Sequence, residues 1–325
     1  MSAALAALVV TDAVAPARPL ADALLVQTAA DRLEIVVVAP QDELEQTVAL
    51  FTAGGFAAVR AVACDVPRDG LAAARCAGIR AAQAPVVVFT ETHCFPEPGW
   101  ARALIAAHAA GPAAVGPVFR NGNPATRSST SGFLAHYGTF ATPPPPPPYA
   151  DLPGHYSSYA RDLLLGFGDE LTELLKLEYV LHARLRAAGH ELLLAPDAVC
   201  DHFNVSRRRA GLREGYLSGR LFAPARASGW SLPRRLGYAL AWPLITALRV
   251  RRHAADARRI GLRLTPGLAL VLVLRLAVTS VGEAVGYLAG PGGAQAPLLE
   301  MELRRDRYFA GREAPERAVL EAIAR

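Results

Sequence analysis

A helical pattern near the middle of the chain places an acid on its apolar side. Leucines recur at three- and four-residue spacing over residues 171–185, and Glu178 falls within that stripe. An inward carboxylate without an evident basic neighbour has a raised proton affinity, which a general base needs near neutral pH. His182, four residues later, shares this side of the helix and is expected within reach of Glu178. A carboxylate at a helix start or a buried ion pair would explain the spacing equally well.

A second acid and two histidines lie at the ends of predicted strands. Glu91 and His93 follow the hydrophobic run 85–90, and His202 ends the last extended segment, 198–203. Ligands gather at the carboxyl ends of strands in parallel sheets. One carboxylate and two imidazoles can ligate a divalent ion, so Glu91, His93 and His202 are candidate metal ligands. The sequence has no HxxxH or HExxH spacing, however, and a lone histidine at a strand end is more often structural.

The elements that must position these residues alternate between β-branched runs and alanine- and leucine-rich helical patterns. This order predicts an α/β fold, a mostly parallel sheet with helices on both faces. The predicted strands are residues 6–10, 33–38, 58–63, 85–90 and 113–119, and the helices between them are 19–29, 42–53, 71–82 and 99–109. A helix over 170–188 and extended segments 191–194 and 198–203 follow. The stretch over residues 120–153, which contains turn residues, a Ser/Thr cluster and the prolines 143–148, is predicted to be a loop.

Composition and charge limit the class of protein. The chain has 325 residues, 52% hydrophobic and 19% charged, which excludes disordered and collagenous proteins. The four cysteines have neither disulfide-framework nor CxxC spacing, and residues 1–10 resemble a first strand more than a secretory signal, so we expect a reducing, cytoplasmic location. Residues 207–263 hold 14 arginines against Glu214 and Asp256, which suggests an anionic partner.

The same region is also hydrophobic. Residues 236–248 carry no charge, and 266–290 are interrupted only by Arg275 and Glu283, which lie on roughly the same side of a helix. This pattern favours a helix lying in a membrane interface or packed in a hairpin over a simple span. Soluble core or an oligomer contact are the alternatives. We predict a body over 1–206, a membrane-associated helical region over 207–295 and a charged tail over 296–325, peripheral on the inner face of the membrane.

Five segments, in order, resemble family 2 glycosyltransferases over about residues 5–205. The most specific is Ala74-Arg75-Cys76-Ala77-Gly78-Ile79-Arg80, similar to the family's ARNxGI segment. The others are Pro96-Glu97-Pro98-Gly99-Trp100, the acceptor-side run 154–161, Glu178 with Arg184-Leu185-Arg186-Ala187-Ala188-Gly189-His190, and the strand 196–202 that ends in a histidine. The resemblance implies a GT-A fold and transfer of a sugar from a nucleotide diphosphate to an acceptor hydroxyl, with inversion at the anomeric carbon.

The resemblance also implies roles for particular residues. Glu178 would be the base, and Glu91 would occupy the position of the family's DXD motif, where carboxylates hold Mg²⁺ or Mn²⁺ on the diphosphate. The donor-side candidates are Thr11, Asp12, Asp42, Arg75, Gly78 and Glu91, with Arg75 as a phosphate contact. The aspartate that commonly follows the family's second strand is missing here, and Asp42 would replace it only if the loop after Val38 bends differently. The implied acceptor-side residues are His155, Ser157, Ser158 and His182.

The sequence departs from the family's pattern at the metal motif. Glu91-Thr92-His93 has one carboxylate and one imidazole where the family usually has two aspartates. A protein that binds a nucleotide or glycan without turnover is therefore the alternative. Nucleic acid is not the expected partner of the arginines, because the chain lacks a zinc-finger, homeodomain or RNP pattern. An anionic membrane surface is expected, and homo-oligomer contacts through the C-terminal helices are the alternative use of that region.

Overall fold

A computed structural model of the chain describes residues 2–311. The chain divides into two compact units. Residues 2–120 and 142–202 form the first unit, and residues 121–141 and 203–311 form the second. Each unit has its own helices, and the functional candidates lie in the first.

The first unit is built on a mixed sheet. Its strand order is β3-β2-β1-β4-β7-β6-β8-β5. The strands are β1 Leu5–Val10, β2 Leu33–Ala39, β3 Ala58–Ala63, β4 Val86–Thr90, β5 Cys94–Pro96, β6 Ala114–Asn121, β7 Ser158–Ala160 and β8 Leu192–His202. β1 to β4 pair in parallel, whereas β7 runs antiparallel to β4 and β6, and β5 antiparallel to β8. The predicted α/β fold class is confirmed, and β1 and β2 are buried along their whole length, as their uninterrupted apolar runs indicate.

Helices cover this sheet and connect its strands. They are α1 Val14–Leu25, α2 Gln41–Ala49, α3 Val66–Asp69, α4 Leu71–Ala81, α5 Trp100–His108, α7 Arg161–Leu165, α8 Leu171–Leu174 and α9 Glu178–Ala187. α4 lies close against β1 and β2 because it has a glycine at the contact: a Cβ on Gly78 would come within 3.1 Å of Val38. The packing of α4 against the sheet thus fixes the position of Arg75, which lies in this helix.

The predicted continuous helix over 170–188 is wrong. The chain forms two helices, α8 and α9, separated by residues 175–177. Leu177 has extended dihedral angles, φ −148° and ψ 95°, and directly precedes α9. The break lets Leu171, Leu175 and Leu181 all reach buried positions, and it makes Glu178 the first residue of α9. The two predicted extended segments after this helix form one strand, β8.

The prediction that residues 120–153 form a loop is wrong in part. Residues of this stretch form α6, Arg127–Tyr137, which belongs to the second unit. Thr126 caps the helix, since its hydroxyl accepts a hydrogen bond from the Ser129 amide at 3.1 Å. Serine and threonine are weak helix formers, but α6 packs against α13, Pro266–Ala289, and is buried over most of its length. Tertiary packing here overrides local propensity.

The second unit is helical. Besides α6 and α13 it contains α10 Arg208–Arg226, α11 Leu232–Leu240, α12 Trp242–Arg259 and α14 Gln295–Leu303. α10 and α13 approach closely through glycines, because a Cβ on Gly219 would come within 2.2 Å of the Thr279 carbonyl oxygen. Between them lies a buried ion pair in which Arg275 donates to Glu214 at 3.1 Å. Arg305 pairs with the other oxygen of Glu214.

Candidate active site

Two strand ends bring the candidate metal ligands together. Glu91 directly follows β4, and His93 lies just before β5. In the antiparallel pair of β5 and β8, Cys94 stands opposite His202, so the end of β8 lies beside His93. The Nε2 atom of His93 is 3.5 Å from Oε2 of Glu91, and Nε2 of His202 is 3.4 Å from the same oxygen. All three side chains are buried.

The geometry of this trio fits a divalent cation. One ligand atom from each of Glu91, His93 and His202 lies within 4.8 Å of the others. Ligands about 2.1 Å from one ion in tetrahedral geometry stand roughly 3.4 Å apart, close to the separations from Glu91. One carboxylate with two imidazoles is a donor set for a transition metal such as manganese, iron or zinc more than for calcium. The predicted ligands can thus hold a cation together.

A chain of contacts joins this trio to Glu178. Oε1 of Glu91 is 2.5 Å from Nδ1 of His155. The same nitrogen is 2.7 Å from Nη2 of Arg75. The other terminal nitrogen of Arg75, Nη1, donates to Glu178. Two side chains, an imidazole and a guanidinium, therefore connect the acid after β4 with the acid at the start of α9, within one unit.

The cluster reaches solvent on one side. The His155 side chain is 27% exposed and that of Glu178 is 13% exposed, whereas Arg75 is only 2% exposed. Arg75 lies behind the two others, with its Cζ 4.8 Å from the centre of the Phe89 ring. A ligand that enters this site meets His155 and Glu178 before it meets Arg75.

The prediction that Glu178 lacks a basic neighbour and holds its proton more tightly is wrong. Burial raises the pKa of Glu178, but the charges of Arg75 and His155 outweigh it and hold this pKa below its ordinary value of 4.5. The arginine comes from α4, 103 residues earlier in the chain, and no local pattern reveals the pair. The buried ion pair, which the sequence left open, is what the structure contains.

The pKa of Glu91 is lowered as well. Burial raises this pKa, but the charges of His155 and His93 outweigh burial and hold it well below its ordinary value of 4.5. A carboxylate that is charged at neutral pH is the form that binds cations.

The remaining predicted donor-side residues are spread over the first unit. Thr11 is buried in the turn after β1, where its amide donates to the Val38 carbonyl at 3.1 Å and its hydroxyl to the Ala13 carbonyl at 2.7 Å. Asp12 follows it in the same turn. Asp42 is exposed in the first turn of α2, and Gly78 is packed against the sheet. None of these four belongs to the contact chain from Glu91 to Glu178, and their donor-side roles stay predictions.

Of the predicted acceptor-side residues, only His155 lies in the cluster. Ser157 and Ser158 are buried in the core, with their hydroxyls bonded to the carbonyls of Pro153 and Val115. His182 lies outside the cluster in its contacts, because its two ring nitrogens bond to Tyr159, at 2.7 Å, and to Asp151, and its acceptor-side role stays a prediction. No local pattern predicts this link between α9 and the segment before β7, since Asp151 lies in a proline-rich stretch without periodicity.

Residues 18–166 match the family described as glycosyl transferase family 2. The chain carries a family 2 glycosyltransferase domain. The predicted family and the predicted enzyme class, a glycosyltransferase, are thereby confirmed. The matched range includes Glu91 and Arg75 but ends before Glu178 and His202, so the roles of these last two depend on geometry.

Several solved structures are similar to this chain at low sequence identity and with TM-scores below 0.5. A mannosyltransferase from Pyrobaculum calidifontis in complex with GDP-Man and Mn²⁺ is 18% identical, covers 100% of this chain and 80% of its own, and has a TM-score of 0.49. TarS of S. aureus in complex with UDP is 15% identical over 87% of this chain and 90% of its own, with a TM-score of 0.44. Glucosyl-3-phosphoglycerate synthase from Mycobacterium tuberculosis, with Mn²⁺ and UDP, is 14% identical over 62% and 72%, with a TM-score of 0.39. None of the curated proteins matches this chain in sequence.

Proposed function

We propose that this protein transfers a sugar from a nucleotide-diphosphate donor to an acceptor hydroxyl, with inversion at the anomeric carbon. The observation that carries the proposal is the contact chain in which Glu91, His155, Arg75 and Glu178 follow one another in the first unit. It joins a site suited to a cation with an ionised acid that is partly open to solvent. Sugar transfer from a nucleotide needs both, a group that stabilises the leaving diphosphate and a base for the acceptor.

Glu178 is the proposed base. The pKa of Glu178 lies below the ordinary value, so its carboxylate is charged at neutral pH but is a weaker base than the sequence predicts. It accepts the proton of the acceptor hydroxyl as the new bond forms and makes that hydroxyl acidic. The partly exposed His155 beside it is the proposed acceptor-side contact. In an inverting transfer the base and the leaving group lie on opposite faces of the sugar ring, so a single displacement suffices.

Glu91, His93 and His202 are the proposed ligands of a divalent cation; of the two cations that the resemblance implies, Mn²⁺ suits two imidazoles better than Mg²⁺ does. A bound cation would neutralise the charge that accumulates on the departing diphosphate. Thr11, Asp12, Asp42 and Gly78 are proposed donor-side residues on the resemblance to the family, and Asp42 lies on the exposed surface of α2.

Turnover of a panel of nucleotide sugars tests this proposal. Purified wild-type protein with Mn²⁺ should release nucleoside diphosphate from at least one donor. Proton NMR of the first sugar product should show the anomeric configuration opposite to that of the donor. Calorimetric binding of nucleoside diphosphate without turnover of any donor would instead support a non-catalytic binding protein, and retention of configuration would contradict inversion.

We also propose that the second unit attaches the enzyme to an anionic membrane surface, as a peripheral protein on the cytoplasmic face. Exposed leucines recur at every fourth position along α11 and α12. They are Leu232, Leu236, Leu240, Leu244 and Leu248, each between 42% and 78% exposed. Tyr238 and Trp242, which suit a membrane interface, are exposed in the same two helices. Apolar surface of this extent on a soluble unit marks an interaction site.

Charges around the apolar surface favour anionic lipid. Arg234, Arg251, Arg252 and Arg258 are exposed on α11 and α12. In the described residues α13 is the one helix long and apolar enough to cross a membrane by length and composition, and 39% of its apolar window is buried. Its two ions face the protein: Arg275 pairs with Glu214, and Glu283 pairs with Arg249 at 2.7 Å. A helix with a charged inner side and exposed Leu270 and Leu274 is suited to lie along an interface.

Flotation of the protein with lipid vesicles tests this attachment. Wild-type protein should float with phosphatidylcholine vesicles that contain phosphatidylglycerol, less so at high salt, and weakly with phosphatidylcholine alone. Leu240→Asp with Leu244→Asp should abolish flotation, whereas Thr52→Asp with Ala53→Asp, which adds the same charge to exposed positions of the first unit, should not. A stable dimer that does not float, and that the leucine substitutions dissociate, would show a subunit contact instead.

A further inference from the structure

Arg75 occupies an unusual position for a donor-binding arginine. Its side chain is 2% exposed and contacts three elements: Glu178 of α9, His155 of the segment before β7, and the ring of Phe89 in β4. Nη1 donates to Glu178, and Nη2 lies 2.7 Å from Nδ1 of His155, which cannot accept from Arg75 while it donates to Glu91. Burying a guanidinium is costly unless it is paired, so the ion pair with Glu178 fixes where it lies.

We propose that Arg75 is a positioning residue: its buried guanidinium orients the carboxylate of Glu178 and stabilises the charge on it, and it does not contact the donor diphosphate. This inference rests on the proposed function, because it takes Glu178 as the base. It changes the role that the resemblance to the family implies for Arg75, from a group that binds the substrate to a group that acts through another side chain.

The surroundings of Glu178 leave Arg75 as the main source of its charged state. The groups that face Glu178 are Arg75 from α4, His155 and Gly154 from the segment before β7, and Tyr159 from β7. Burial opposes the charge on Glu178 and raises its pKa, while Arg75, the larger of the two favourable charges, and His155 lower it. Glu178 also influences Tyr159, whose pKa is raised mainly by burial and then by this carboxylate.

The same surroundings fix the direction of the carboxylate. On one side Gly154 leaves room because it has no side chain; a Cβ at that position would come within 2.9 Å of Oε2 of Glu178. On the other side Nη1 of Arg75 donates to Oε1. The carboxylate therefore lies between a backbone without a side chain and a buried cation, which holds it in one orientation.

Loss of Arg75 should consequently change the pH dependence of the reaction. In Arg75→Gln the neutral amide no longer favours the charged form, so Glu178 protonates at a higher pH and the acidic limb of the kcat profile moves upward. At a pH below the acidic limbs of both proteins, the kcat of the variant is about tenfold lower than that of wild type for every pH unit by which its limb has moved. A purely structural arginine would lower kcat by the same factor at every pH and leave the limb in place.

The kinetic experiment compares four proteins with a donor that the wild type turns over. Wild type, Arg75→Gln, Arg75→Lys and the matched control Arg80→Gln, an exposed arginine of the same helix, are assayed from about pH 3 to about pH 9, a range that includes pH values below the ordinary pKa of a glutamate. We expect an upward shift of the acidic limb in R75Q, partial restoration in R75K and a wild-type profile in R80Q. Calorimetry with UDP and with GDP in the presence of Mg²⁺ should give the same Kd for R75Q as for wild type.

A second measurement needs neither donor nor turnover. Infrared spectra of protein labelled with ¹³C-glutamate, with E178Q as the blank, report the pH at which the Glu178 carboxyl protonates. This pH should be higher in R75K than in wild type, and higher again in R75Q if that variant folds. Arg75→Lys preserves the charge, so it keeps the test available if R75Q does not fold.

The outcomes separate this inference from the proposed function. An unmoved acidic limb in R75Q, with E178Q inactive, would overturn the role of Arg75 and leave Glu178 as the base. A fall of tenfold or more in nucleotide affinity in R75Q would show that Arg75 contacts the diphosphate. Full activity of E178Q would overturn the base itself, and the inference with it.

Discussion

The site's residues owe their properties to partners far away in the sequence. Glu178 is spaced like an inward-facing acid, and the sequence predicts its burial, yet its charge state follows from Arg75, 103 residues earlier. Likewise, the candidate ligands Glu91 and His93 are visible at a strand end, but the position of His202 beside them depends on the pairing of β5 with β8. Residue type and spacing select the candidate side chains, and only the fold shows which of them touch.

The space beside Glu178 gives a prediction at a single glycine. Gly154→Ala places a methyl group within 2.9 Å of Oε2 of Glu178, so the carboxylate must shift away from Gly154 and lose its present geometry with Arg75. We expect kcat to fall about 100-fold, because a displacement of about 1 Å at a reacting group costs that much. Gly166→Ala, at a glycine outside the site, is the control. Steady-state kinetics check this, and wild-type kcat in G154A would contradict the orientation of Glu178.

The candidate cation site gives a prediction at a histidine. His202→Gln removes one of three ligand atoms, so Mn²⁺ affinity measured by calorimetry or electron paramagnetic resonance should fall about 10- to 100-fold. His190→Gln, at a histidine of the segment between α9 and β8, should bind Mn²⁺ as the wild type does. Equal affinity in both variants would exclude His202 as a ligand.

At the scale of elements, propensity and packing disagree in two places. α6 forms from a Ser/Thr-rich stretch because it packs against α13. The leucine pattern over 170–188 divides into two helices, α8 and α9, and with this break Leu171, Leu175 and Leu181 are all buried. The parallel strands β1, β2 and β4 show the opposite case, since continuous apolar runs predict them within a residue or so. Elements whose own pattern satisfies the core are predictable, and elements that depend on a distant partner are not.

The buried ion pairs of α10 and α13 give a prediction about stability. Glu214→Gln leaves Arg275 buried without its anion and Arg305 with Glu302 alone, so the free energy of unfolding should fall by about 3–5 kcal/mol. The exposed Asp306→Asn in the same unit is the control. Denaturant titration near neutral pH measures the difference, and a loss equal to that of D306N would contradict the role of the ion pair.

The same acid predicts a pH dependence with a definite sign. Burial raises the pKa of Glu214, but Arg305, His136 and Arg275 outweigh it and hold the pKa at about 2, below its ordinary value of 4.5. A lowered folded-state pKa stabilises the protein above the ordinary value, and this contribution is lost as the pH falls from 4.5 towards about 2. The difference in stability between wild type and E214Q should therefore shrink over this range. A constant difference would show that Glu214 is not the titrating group.

At the scale of the molecule, the two units carry different candidate sites. The first unit holds the mixed sheet and the contact chain from Glu91 to Glu178, and the second holds the exposed leucines and arginines. Charge and hydropathy along the sequence predicted this contrast near residue 206, because acidic and cationic regions need no partner to be recognised. The sequence could not predict that residues 121–141 belong to the second unit, since that assignment depends on contacts of α6 with α10, α12 and α13.

The most direct test of the account is to separate binding from chemistry at Glu178. Glu178→Gln should bind the donor with wild-type affinity and lower the single-turnover rate by about 100- to 10,000-fold, since the amide cannot accept the acceptor's proton. The matched variant Glu173→Gln, an exposed acid of α8, should keep the wild-type rate. Single turnover of E178Q at the wild-type rate, with donor bound, would contradict the assignment of the base and with it the proposed link between the two acids.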